Sequence, residues 1–181
     1  MPYLHESTPK AGYLRHHAGQ PMSRLSSTRA PAPKVSPRLV ATAFFAGALA
    51  VPLFHQVLFL LLYLLGVIPL APFSLEPTKP FGVPEVVSAS FWGGVWGVVF
   101  ALTLPRFFHS LAYWLASCII GGLALTLVYM FVVVPLKTGT LPPEMGGLFI
   151  IGFLLNAAWG IGWALLWMLL DLMREQPTLA R

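Results

Sequence analysis

The chain is poor in charge and nearly free of cysteine. Of its 181 residues, 9% are Asp, Glu, Lys or Arg, where soluble domains carry about 25%. The shortage is also local. Leu39 to Phe73, Val86 to Leu104, Phe107 to Leu136 and Met145 to Leu170 contain no charged residue. A run of about 18 or more apolar residues can cross a hydrocarbon core as a helix. Four such runs exceed what an ordinary soluble core buries, so the pattern excludes a soluble fold.

Cys118 is the only cysteine. It cannot close an internal disulfide and does not report the redox compartment. Within the third apolar run it reads as a small packing residue. Also missing are a phosphate loop, a zinc-type His or Cys spacing, a serine nucleophile elbow and a carboxylate pair inside the apolar runs. His55 and His109 fall more than about 10 Å apart in depth by helix rise, a poor axial pair for haem. His5, His16 and His17 in the tail are a weak metal signal. The expectation is therefore no enzyme, no metal and no cofactor.

What is present is a pattern written twice. Pro37-Arg38 opens an apolar run ending at Ile68-Pro69-Leu70, and after a loop Pro84-Glu85 opens a second. Pro105-Arg106 opens a third, ending at Val134-Pro135-Leu136, and Pro143-Glu144 precedes the last. The copies begin 68 residues apart (105 minus 37), and Trp92-Gly93-Gly94-Val95-Trp96-Gly97 echoes Trp159-Gly160-Ile161-Gly162-Trp163-Ala164. The expected fold is an all-α integral membrane protein with four transmembrane helices in two hairpins. Two helices per copy make the repeat parallel, with a pseudo-two-fold axis along the membrane normal.

The expected boundaries are a disordered basic tail over 1–37, a first hairpin over 38–104 and a second over 105–174. The spans within them are about 41–68, 85–104, 108–134 and 146–172, and a short tail follows at 175–181. Pro52 should kink the first helix by removing a donor. Proline at 84 and the Glu85 carboxylate suit a helix start.

The net charge of +5 comes mostly from the tail, where Lys10, Arg15, Arg24, Arg29, Lys34 and Arg38 face only Glu6. These residues make no dense nucleic-acid patch and read instead as a topology determinant. With both termini cytoplasmic, nine Lys and Arg lie inside, and only Lys79 and Lys137 outside. The expected location is the inner, or plasma, membrane. Tyr113, Trp114 and Trp167 at the inner surface, and Tyr63 and Tyr129 at the outer, fit interfacial anchors.

Candidate residues fall into two groups. Ala89, Gly93, Gly97 and Ala101 recur every four residues, as do Gly152, Asn156, Gly160 and Ala164. Such stripes let helix backbones approach closely in lipid, so they read as helix packing. Trp92, Trp96, Trp159 and Trp163 sit near those stripes, and a deep indole N–H needs a partner. They either fill the glycine grooves or wall a cleft for a flat apolar ligand. His55, Gln56 and Asn156 are polar inside apolar runs, which makes them site candidates by default. His55 could instead bond a carbonyl freed at Pro52, and Asn156 could bridge two helices.

The first functional expectation is a non-catalytic accessory, assembly or scaffold protein, either a homo-oligomer or a subunit of a larger membrane complex. The second is a small oligomeric transporter or channel for an apolar or zwitterionic solute. Its path would lie at the pseudo-axis, lined by Trp92, Trp96, Asn156, Trp159 and His55. The expected partner is lipid bilayer rather than nucleic acid.

Overall fold

A computed structural model describes residues 35–79, 81–104 and 110–175. The tail at 1–34, Pro80, the turn at 105–109 with Arg106 and His109, and residues 176–181 lie outside that range. The described residues are mostly helical, with four helices long and apolar enough to cross a membrane: α1 (Pro37–Leu64), α2 (Glu85–Thr103), α3 (Leu111–Thr138) and α4 (Met145–Glu175).

α1 starts earlier than its apolar run because Ser36 caps it. The Leu39 N–H donates to Ser36 Oγ at 3.2 Å, and Pro37 takes the first helical position, where its missing donor costs nothing. A single π turn, Val51–His55, occurs at Pro52. Such a turn re-registers the backbone ladder around a residue that cannot donate. The helix ends at Leu64, short of the prolines at 69 and 72, because Gly66 turns left-handed at φ 71°. That conformation closes helices and favours glycine.

The α1–α2 connection is tied on both sides. The strands β1 (Pro77–Thr78) and β2 (Val83–Pro84) pair antiparallel. The Glu85 N–H donates to the Glu76 carbonyl, and the Val86 N–H to the Ser74 carbonyl, both at 3.0 Å. Loop carbonyls thus satisfy donors that a helix start leaves unpaired.

α3 passes through Pro135 instead of stopping there, and ends at Gly139 with φ 76°. Two π turns, Gly121–Leu125 and Tyr129–Val133, lie within it, the second just before the proline.

α2 packs on α1, α1 on α4, and α4 on α3. Each of these neighbours runs antiparallel. Gly47 of α1 lies against the backbone of Gly93 and Gly97 of α2, and Gly121 of α3 lies against Asn156 and Gly160 of α4. The main core sits toward the end where α1 and α3 begin, here the tail end. It holds Ala43, Ala46, Ala50, Phe100, Ala101, Tyr113, Trp159, Trp163, Ala164 and Trp167. Toward the opposite, loop end, the α1 surface is largely exposed.

Candidate functional site

α4 acts as a wedge whose adjacent faces serve different neighbours. Gly152, Asn156 and Gly160 face α3: a Cβ at Gly152 would meet Thr126 Cγ2 at 3.0 Å, and one at Gly160 would collide with the Ser117 carbonyl. Trp159 and Trp163 face α1 and α2. Asn156 therefore does not share the tryptophans' face. Its Nδ2 donates to Thr126 Oγ1 at 3.0 Å, bridging α4 to α3.

The two indoles fill the α1–α2 groove. Trp159 Nε1 donates to the Gly47 carbonyl at 2.9 Å, and it lies 3.1 Å from the point where a Cβ on Gly93 would stand. One turn along, Trp163 Nε1 lies 3.0 Å from the same point on Gly97, and the Ala43 carbonyl borders that point from the other side. The arrangement of indole, glycine and carbonyl is repeated, but only the first rung closes. Among the described residues, Trp163 Nε1 makes no hydrogen bond. Glycine is required at 93 and 97 because a methyl group would occupy the space of both the carbonyl and the indole edge.

Aromatic edges complete the packing. Phe100 meets Trp159 and Trp163 edge-on, each with centroids 5.3 Å apart, and Trp163 stacks on Trp167 at 5.9 Å. Both geometries suit the ring quadrupoles. Tyr113 tilts against Trp163 at 6.3 Å. Tyr113 is 1% exposed and Trp167 5%. Both are core residues, not the interfacial anchors expected of them.

The other candidates are dispersed. Trp92 is 58% exposed and packs edge-on with Phe91 on the outside of the bundle, so it lines no shared space with Trp159. Trp96 lies partly buried at the core's edge. Gln56 is buried, and its Oε1 accepts the Phe73 N–H at 2.8 Å. Phe73 is the one described non-glycine residue at positive φ (56°), so Gln56 fixes a strained loop position. His55 closes the π turn with Nδ1 buried and unpartnered among the described residues. Neither Asn156 nor any tryptophan hydrogen-bonds to that Nδ1. Of the packing candidates, Ala101 and Ala164 are buried in the core, and Ala89 packs partly buried against it.

No group of three or more His, Cys, Asp or Glu able to hold a metal occurs among the described residues. The stripe reading missed the receiving surfaces: Ala43 and Gly47 on α1, and Ser117 and Gly121 on α3. Both pairs carry the signal used for α2 and α4, small residues four apart. Comparison with family models, curated proteins and solved structures finds no match.

Proposed function

We propose that the chain is a multi-pass inner-membrane protein with both termini cytoplasmic, acting as a non-catalytic accessory, assembly or scaffold subunit. The observation that carries this reading is how the interior is used. The deep tryptophans fill the α1–α2 groove, and Gln56 and Asn156 are engaged in structural hydrogen bonds. These side chains are spent on packing, which supports a structural element better than a solute path.

The same reading takes the two hairpins as a parallel repeat. In its support, Gly47 meets Gly93 and Gly97 as Gly121 meets Asn156 and Gly160. That match relates α1 to α3 by 74 residues (121 minus 47) and α2 to α4 by 63 (160 minus 97). The sequence echoes lie 68 apart at Pro37 and Pro105 and 67 apart at Trp92 and Trp159, so the crossings repeat while their registers differ, by 6 residues one way in α1 and α3 and 4 the other way in α2 and α4.

Native mass spectrometry after gentle extraction at native expression level tests the role. Other subunits co-purifying at fixed stoichiometry are expected. A lone homo-oligomer retaining a solute would instead favour the second reading, a small oligomeric transporter or channel for an apolar or zwitterionic solute. One observation favours that alternative: the unpartnered Nδ1 of His55 beside Pro52. It requires His55→Ala to abolish solute uptake in reconstituted vesicles without loss of helicity.

A further inference from the structure

We infer that the loop-end halves of α1 and α3 are hinged arms, each held closed by one side-chain hydrogen bond. The hinges are two π turns. Val51–His55 interrupts α1, and Gly121–Leu125 interrupts α3. They begin 70 residues apart (121 minus 51), close to the 68-residue spacing of Pro37 and Pro105. Both lie against α4. A π turn holds one residue more than an α turn, so the backbone ladder changes register there, and helices kink at such places. In the first turn Pro52 has no N–H with which to restore the α register.

Packing differs on the two sides of each hinge. Before it, α1 buries Ala43, Ala46, Gly47 and Ala50, whereas within Gln56–Leu64 only Gln56 is buried. In α3, Tyr113 and Ser117 are buried before the hinge, and only Thr126 and Met130 within Thr126–Thr138 beyond it. Segments with few buried contacts belong to the low-stability end of a structure and open first.

The latch occupies the same place in both arms. Gln56 is the first residue after one π turn and Thr126 the first after the other, again 70 apart (126 minus 56). Both are buried polar side chains. Gln56 Oε1 accepts the Phe73 N–H, and Phe73 precedes the Ser74 and Glu76 carbonyls that hold the start of α2. Thr126 Oγ1 accepts from the Asn156 amide of α4. Each latch therefore ties the first helix of a hairpin, just past its hinge, to the side of the second. The remaining π turn, Tyr129–Val133, lies farther out beside Pro135, within the arm rather than at its base.

The inference goes beyond the accessory reading and does not rest on it. Spin-label distances in full-length protein in lipid nanodiscs test it, after Cys118→Ser removes the one native thiol. Labels at Leu64→Cys and Leu136→Cys report the two arms, and labels at Phe45→Cys and Leu115→Cys report the halves before the hinges; all four positions are exposed. The outer pair should give a broad distribution with a longer component, and the inner pair a single narrow one. Gln56→Leu and Thr126→Val should each raise the longer component about threefold, the share of one hydrogen bond between membrane helices, and leave the inner pair unchanged. Pro52→Ala supplies the missing donor and should reverse the effect of Gln56→Leu. Circular dichroism checks that each variant keeps its helicity. A narrow outer distribution that neither latch variant changes overturns the inference. Equal broadening of both pairs would mean general loosening and overturns it too. So does broadening by Gln56→Leu that Pro52→Ala leaves intact, which would place the motion away from the π turn.

Discussion

The two ends of the bundle are built from different materials. At the tail end, helices approach through Ala43, Gly47, Gly93 and Gly97, and large rings from α4 fill what remains. At the loop end the notable ties are side-chain hydrogen bonds: Gln56 to the Phe73 N–H and Asn156 to Thr126. Close packing relies on contacts that fail together when one backbone is pushed away, because interiors are dense and poorly compressible. A hydrogen bond at a loop or between two helices fails locally. In lipid, where apolar burial drives no association, close backbone approach is the stronger device. The comparison therefore assigns global stability to the tail end and local order to the loop end.

The largest expected effect is at Gly47. A Cβ there collides with the Gly93 carbonyl, a backbone atom that cannot rotate away. Gly47→Leu should lower stability by about 3 kcal/mol or more, since overpacking a tight core forces backbone shifts, read as a large drop in the thermal midpoint in detergent. Gly146 and Gly147 at the loop end have nothing within 4 Å of a built Cβ. Leucine at either should leave the midpoint unchanged or raise it. Equal damage at Gly47 and Gly147 would erase the distinction between the ends.

The next effect separates the two indole rungs. Trp159→Phe removes ring volume and leaves the Gly47 carbonyl without its donor, which should cost about 1–3 kcal/mol. Trp163→Phe removes similar volume but no partnered donor, so it should cost less. Denaturation midpoints of the two variants in one detergent decide the order, and the reverse order would contradict the assignment of the closed rung.

A smaller and local effect is expected at Gln56. Gln56→Leu leaves the Phe73 N–H unpaired and should cost about 1 kcal/mol. It should appear as faster amide exchange in the 65–84 loop rather than as a changed midpoint. Smallest of all is Asn156 with Thr126. A double-mutant cycle with Asn156→Ala and Thr126→Val should give a coupling of about 0.6 kcal/mol, typical for hydrogen bonds between membrane helices. A coupling near zero would break the proposed bridge.

The four spans were legible because charge is absent from long runs, a signal that needs no knowledge of neighbours. Helix ends were less so. Proline at 69 and at 135 looks like a stop signal, yet Gly66 acts first in α1, and α3 runs on to Gly139 with a π turn preceding Pro135. Which helices touch was not legible at all. Asn156 and Trp159 lie near one another on a helical wheel, but α4 is wedged between α3 and the α1–α2 pair, so they address different partners. Tyr113 and Trp167 were misread for the same reason: an aromatic near a helix end resembles an interfacial anchor until a neighbouring helix covers it. The tryptophans and polar residues that the sequence groups as one candidate path are divided among a packed groove, a loop tie, a helix bridge and the exposed Trp92.

The central claim is that the Trp159 and Trp163 indoles sit in a dry, filled groove and not along a water path. Indole N–H exchange in deuterated solvent tests it directly, by nuclear magnetic resonance of tryptophan-labelled protein, with the six signals assigned from single Trp→Phe variants. The account predicts that the Trp159 and Trp163 protons persist long after that of exposed Trp92 has vanished. Rapid exchange at Trp159 and Trp163 would show that water reaches the groove, contradicting the packed-core reading and favouring a solute path.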